Sequence, residues 1–175
     1  MRRPIYPEKS WFDPRLEKRA SPIHGTGIFA TSAIAAGELL VIAGGIVFTE
    51  EEWKAGSVPL DPAKRYNEGR IDELYLIANP IDEDMSYFFN HSCDPNFWWP
   101  YARHDIQAGE ELTYDYALEM IDERYVLEPC VCGSSLCRRR VTGNDWKLPE
   151  LQRRYRGHFA PFTERRIQAD SNAAS

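Results

Sequence analysis

Long apolar runs, cysteines and excess positive charge are all scarce in this sequence, and each scarcity excludes a class of protein. No stretch approaches the ~20 consecutive apolar residues of a membrane span, and none of signal-peptide length follows Met1-Arg2-Arg3-Pro4. Twenty-one basic residues against twenty-seven acidic ones give a formal charge of −6. That balance suits a basic partner better than a nucleic acid. The expectation is a soluble intracellular protein, cytoplasmic or nuclear, with no membrane contact and no direct nucleic-acid contact. Four cysteines in such a compartment are metal ligands or buried thiols more readily than a disulfide framework. The strand–helix alternation of a parallel α/β fold is also missing. Short apolar runs punctuated by Gly and Pro dominate, so the fold class expected is mainly β, with several small sheets, peripheral helices and one core. Oligomeric state leaves no mark on the composition.

Taken in order, residues 1–14 carry Pro4, Pro7 and Pro14 and read as an irregular lead-in docked by Trp11 and Phe12. A strand over Arg15 to Ala20 precedes a turn-rich loop, Ser21 to Gly27, and Ile28-Phe29-Ala30 opens the next strand. Ile34-Ala35-Ala36-Gly37-Glu38 is echoed by Ile106-Gln107-Ala108-Gly109-Glu110. Both read as one device, a turn with Gly at a special angle feeding a strand. Leu39 to Ala43 and Ile46 to Phe48 read as buried strands. Thr49 with Glu52 is a capping-box pattern for a short helix ending near Gly56. Residues 49–85 form a mixed insert, acidic at Glu50 to Glu52 and at Asp82 to Asp84, with a strand over Leu74 to Ala78. Phe97 to Tyr101 is an aromatic strand broken by Pro100. Pro149 and Gly157 punctuate a helix over Leu148 to Arg156. Phe159 and Phe162 anchor a final short helix within residues 147–168, and residues 169–175 are expected to be a disordered tail.

Three stretches carry chemistry. Asn90-His91-Ser92-Cys93-Asp94-Pro95-Asn96 combines an amide, an imidazole, a hydroxyl, a thiol and a carboxylate, and its Asp-Pro-Asn ending predicts an exposed, sharply turned loop. Cys130, Cys132 and Cys137 form a C-x-C-x4-C hook, and Cys93 brings the thiols to four, enough for a tetrahedral zinc site with none left over. Two disulfides or four unrelated thiols are the other readings, although a Cys130–Cys132 bridge would be strained. If Glu111 to Tyr116 is extended, Leu112, Tyr114 and Tyr116 share one face and Thr113 and Asp115 the other. Two phenols side by side are by default core packing. The Gly25-Thr26-Gly27 pair is by itself a tight turn, and His91 by itself a structural histidine.

His24 to Ala30, Asn90 to Asn96, Glu111 to Tyr116 and Cys130 to Cys137, in that order, resemble the SET-domain protein lysine methyltransferases with a post-SET zinc segment. The resemblance implies a β-clip (SET) fold with knot-like C-terminal threading. It implies a SET domain over residues 15–117, a post-SET segment over 118–146 and a helical extension over 147–168. By the same resemblance Tyr116 is the catalytic tyrosine, and Tyr114 governs how many methyl groups are added. His24, Gly25, Gly27, Asn90 and His91 contact the methyl donor S-adenosyl-L-methionine, and Trp146 covers its adenine. Cys93, Cys130, Cys132 and Cys137 share one structural Zn2+, which folds the C-terminal segment over the central loop. The substrate implied is a lysine in a protein or peptide segment, basic to match the acidic insert, and the products are mono- or dimethyl-lysine. Tyr87-Phe88-Phe89 stands where many members carry Arg-Phe-Ile. Ile42-Ala43-Gly44-Gly45 stands for Tyr-x-Gly-Glu, with Tyr75 or Tyr87 as replacements for the missing tyrosine. Arg138-Arg139 stands for Arg-Gly. These departures leave one alternative, a catalytically weak SET-fold peptide-binding module. A zinc-dependent nucleic-acid binder using Arg138-Arg139-Arg140 is opposed by the net charge.

Overall fold

The computed structural model describes residues 2–173. Strands are short and fall into five small sheets. The first is β1 (Trp11–Phe12) against β4 (Val41–Ile42). The central sheet has the order β2 (Leu16–Ala20), β3 (Thr26–Ala30), β11 (Glu111–Tyr114), β8 (Asn90–His91). A third contains β5 (Ile46–Thr49), β7 (Tyr75–Pro80) and β6 (Tyr66–Arg70). Hairpin β9 (Phe97–Trp98)–β10 (Tyr101–Ala102) turns at a cis Trp99–Pro100 bond. Pair β12 (Val126–Leu127)–β13 (Val141–Thr142) closes the cysteine segment. The helices are α1 (Glu50–Lys54), α2 (Pro149–Arg154) and α3 (Pro161–Ala173), all peripheral to the central sheet.

Local sequence accounts for much of this. Thr49 Oγ1 accepts from the Glu52 N–H at 3.2 Å, and the Glu52 carboxylate accepts from the Thr49 N–H at 2.9 Å, so α1 starts on the expected box. The sequence echo is a structural one. Ile34 and Ile106 exchange two backbone hydrogen bonds of 2.9 Å at the centre of the main core. Gly37 and Gly109 take φ of 84° and 85°, angles open to glycine without a Cβ clash. The Glu38 and Glu110 carboxylates each accept the N–H three residues back, from Ala35 and Gln107. This device seats β11: Gly109 donates to the Ala30 carbonyl at 2.7 Å and Ala30 to the Glu110 carbonyl at 3.0 Å.

Two expectations change. Of the run Leu39 to Ala43 only Val41–Ile42 is a strand, because Leu39 bridges Tyr101 instead. The last helix, far from short, runs through Ala173 where disorder was expected from Ala169. Arg166 and Arg165 tie it to Glu73 and Asp72 of the insert at 3.0 and 3.2 Å. Residues 174–175 of that expected tail lie outside the described residues. A second core under these helices gathers Ala117, Leu118, Trp146, Leu151, Tyr155 and Phe159.

Candidate functional site

The central loop is not exposed. Asn90, His91, Ser92 and Cys93 are 8, 3, 5 and 0% exposed, because each polar group there finds a partner within the protein. Thr113 and Tyr114 of β11 pair in parallel with Asn90 and His91, and the Ser92 N–H donates to the Tyr114 carbonyl at 3.1 Å. Asn96 clamps the same strand from the other end of the loop, its Oδ1 accepting the Thr113 N–H at 2.9 Å. Asn90 Nδ2 donates to the carbonyls of His24 (3.1 Å) and Thr26 (3.3 Å) and to Glu111 Oε1 (2.8 Å). Ser21 Oγ donates to the other oxygen of Glu111 at 2.9 Å. A Cβ at Gly27 would stand 2.1 Å from Glu111 Oε1, so glycine is required there for the loop to close on the carboxylate. Next to it, the exposed Gly25 and His24 leave backbone open to a ligand. Glu111 is the piece that sequence reasoning missed; its pairing runs through tertiary contacts.

The tyrosines meet by a different route from the one expected. β11 ends at Tyr114, and Asp115 caps a 3-10 turn, Tyr116–Leu118, by accepting the Ala117 N–H at 3.0 Å. Tyr116 therefore does not continue the strand face, yet its ring centroid lies 4.9 Å from that of Tyr114. Its hydroxyl donates to the Phe89 carbonyl at 3.1 Å, and Tyr125 stands 6.1 Å away, edge-on. Burial pushes both the Tyr114 and Tyr116 phenols up, so they remain protonated donors. Of the two replacement tyrosines, Tyr87 is exposed in the turn Ser86–Phe88, while Tyr75 is buried in β7.

Behind the tyrosines lies a buried ionic hub. Arg138 makes a two-pronged contact to Asp115 at 2.6 and 2.7 Å, and its Nε donates to Asp145 at 2.8 Å. Tyr155 of the C-terminal extension donates to Asp115 at 2.9 Å. Burial pushes Asp115 up, but the hydrogen bonds and charge of Arg138 outweigh it, so the carboxyl sits below its ordinary range. Burial also pushes His91 down to about 4, against the pull of Asp115. The neutral imidazole accepts the Tyr116 N–H on Nδ1 at 3.2 Å, which places its proton on Nε2, 3.2 Å from Cys93 Sγ.

The four cysteine sulfurs all lie within 4.8 Å of one another. A tetrahedron with zinc–sulfur bonds of ~2.3 Å wants sulfurs about 3.8 Å apart, so the donor set fits zinc. The Arg138 N–H points at Cys93 Sγ (3.3 Å) and the Arg139 N–H at Cys137 Sγ (3.4 Å). Such N–H donors stabilise thiolates. Arg139 is the one non-glycine among the described residues with positive φ, 66°. Of the arginine triplet, Arg138 turns inward, Arg139 is exposed and Arg140 pairs with Glu128 at 3.6 Å.

Two further expectations concern Trp146 and the acidic insert. Trp146 is 4% exposed and belongs to the second core with Ala117, Leu118 and Leu151. Lys147 Nζ lies over its ring, 5.1 Å from the centroid. The acids of the insert are largely paired internally: Glu50 with Arg70, Glu52 with Arg3, Asp82 with Arg65, and Glu83 with Lys9 and Lys64. They form less of a basic-peptide surface than their number suggests.

Residues 25–117 match the SET domain family. Among similar proteins, "Histone-lysine N-methyltransferase 2B" of Homo sapiens is 32% identical over 139 residues, covering 68% of this chain and 5% of that protein. "Histone-lysine N-methyltransferase set1" of Dictyostelium discoideum is 31% identical over 149 residues, 73% of this chain and 9% of its own length. "Histone-lysine N-methyltransferase, H3 lysine-4 specific" of Saccharomyces cerevisiae is 31% identical over 153 residues, 71% and 13% respectively. The chain thus spans a small part of each relative's length. No helix among the described residues is long and apolar enough to cross a membrane.

Proposed function

This chain belongs to the SET-domain family, and from that premise we propose that it is a protein-lysine N-methyltransferase using S-adenosyl-L-methionine. The observation that carries the reading is the tyrosine pair, Tyr114 and Tyr116, held 4.9 Å apart beside a loop stitched to the Gly25–Gly27 turn through Asn90. Bound there, the donor supplies an electrophilic methyl on sulfur. His24 and Gly25 offer open backbone, Gly27 and Glu111 hold the turn in place, and Asn90 and His91 complete the cofactor face. The Tyr116 hydroxyl and the Phe89 carbonyl orient the incoming amine, and the phenol faces desolvate it and favour its cationic, methyl-bearing forms. Tyr114 narrows the lysine channel, which favours mono- and dimethyl products. Cys93, Cys130, Cys132 and Cys137 hold one zinc that fixes the C-terminal segment against the loop; its part is structural.

The names of the relatives make histones the first substrates to try, and a basic segment of histone H3 the first among them. Purified core histones incubated with methyl-labelled donor should become labelled on lysine. Cofactor binding without label on histones or on a panel of other basic proteins would favour the peptide-binding alternative instead.

A further inference from the structure

Glu119 is a carboxylate without a counter-ion. Its side chain accepts one hydrogen bond, from the Tyr114 hydroxyl at 2.9 Å, and no basic side chain pairs with it among the described residues. It sits where the 3-10 turn ends, its N–H donating to the Tyr116 carbonyl at 3.2 Å, so the turn that presents Tyr116 also aims Glu119 back at Tyr114. Its charge raises both phenols, Tyr114 and Tyr116, and so reaches the whole cluster. The other ionisable groups facing that cluster are the phenols Tyr125 and Tyr87 and the imidazole of His91, whose ring lies 5.1 Å from that of Tyr116. Other buried carboxylates are compensated, Asp115 by Arg138, Asp13 by Arg15 and Asp84 by the Ser86 N–H and hydroxyl. Glu119 is partly buried with a single hydrogen bond, so a cation brought by a ligand would offset the cost of its desolvation.

We propose that the Glu119 carboxylate is the seat and proton acceptor for the substrate's lysine ammonium. The proposal rests on the reading of Tyr116 as the tyrosine of methyl transfer. The ammonium enters as the missing counter-ion. Closing the channel removes water from both charges, which penalises the ion pair relative to neutral acid and neutral amine. One N–H bond of the ammonium breaks and an O–H bond forms on Glu119. The freed lone pair attacks the methyl carbon of the sulfonium donor, the C–S bond breaks, and its electron pair stays on sulfur. The methylated ammonium leaves, and the Glu119 proton passes to water. Burial holds Glu119 above the ordinary carboxylate range, the direction a proton acceptor needs.

Glu119→Gln tests this, because the amide oxygen still accepts the Tyr114 hydrogen bond while the charge is lost. With core histones as substrate, turnover should fall about 100-fold at pH 7. The deficit should shrink as pH rises toward the lysine's own pKa, because solvent then supplies the neutral amine. A deficit independent of pH, or unchanged turnover, overturns the proposal. Tyr114→Phe, which keeps the carboxylate but removes the donor that holds it down, should keep turnover dependent on Glu119 and move the acid limb of the profile to higher pH; an unmoved limb overturns the proposal. A second measurement needs no turnover: n-butylammonium, the end of a lysine side chain, is titrated against the protein saturated with S-adenosylhomocysteine, with n-butanol as the neutral control. Wild type should prefer the ammonium and Glu119→Gln should not; equal preference in both proteins overturns the seat. Should the protein label no lysine at all, the methyltransferase reading fails, while the titration still decides whether Glu119 binds a cation.

Discussion

Tyr114 differs from phenylalanine by one oxygen, and that oxygen is committed to Glu119 at 2.9 Å. Its hydroxyl fills volume that a methylated amine would need in order to turn for another round. Tyr114→Phe should therefore shift products toward higher methylation at similar overall rate, read by time-resolved mass spectrometry on one peptide. An unchanged product ratio with lowered stability would reduce Tyr114 to core packing. Arg139 offers a separate test. Its φ of 66° costs an L-residue roughly 1–2 kcal/mol, partly offset in glycine by greater freedom of the unfolded chain. Arg139→Gly should be stabilising by about 0.5 kcal/mol in denaturant melts, and clear destabilisation would mean that the side chain matters more than the backbone. At this scale the sequence speaks through side-chain chemistry at short spacing. The thiols at 130, 132 and 137 and the phenols at 114 and 116 are readable that way. Glu119, Glu111 and Tyr155 are not, because their partners are chosen by a turn, a sheet and a helix that only tertiary structure brings together.

The elements around the site are joined by a single hub. Asp115 caps the turn that carries Tyr116, receives Arg138 from the cysteine hook and Tyr155 from the end of α2, and stands 3.7 Å from His91. Asp115→Asn would remove the two-pronged partner of the Arg138 guanidinium and leave it Asp145 alone, at a cost of about 3 kcal/mol. Tyr155→Phe removes one hydrogen bond and should cost about 1 kcal/mol. Thermal melts distinguish these, and equal small losses in both variants would mean that the hub is incidental. Elements specified by near neighbours were legible: the capping box of α1 and the twin turns at Gly37 and Gly109 depend on residues three or four apart. The strand ending at Tyr114 and the burial of Asn90 to Cys93 were not. A polar loop reads as exposed until the strand that satisfies it, β11, is known to lie alongside. The burial of Trp146 in the second core was illegible for the same reason, since an aromatic after the hook packs wherever α2 leaves room.

Across the whole molecule, three pieces far apart in sequence close on one another: the Gly25–Gly27 turn, the Asn90–Cys93 loop with β11, and the C-terminal segment held by sulfur and by Arg138. The protein should carry about one zinc per chain by elemental analysis. Cys93→Ser or Cys137→Ser should each lose it and raise hydrogen exchange from Val126 through Tyr155. Metal-free protein with an ordered C-terminal segment would contradict that part. The central claim is that the Tyr116 site transfers methyl groups to lysine, and one experiment addresses it directly. Wild type and Tyr116→Phe are incubated with core histones and methyl-labelled donor, the labelled residues are mapped by mass spectrometry, and donor affinity is measured by calorimetry on the same preparations. The account predicts label on lysine side chains, a loss of about 100-fold or more in Tyr116→Phe, and donor affinity within a few-fold of wild type. Undiminished labelling by Tyr116→Phe, or label on residues other than lysine, would contradict it.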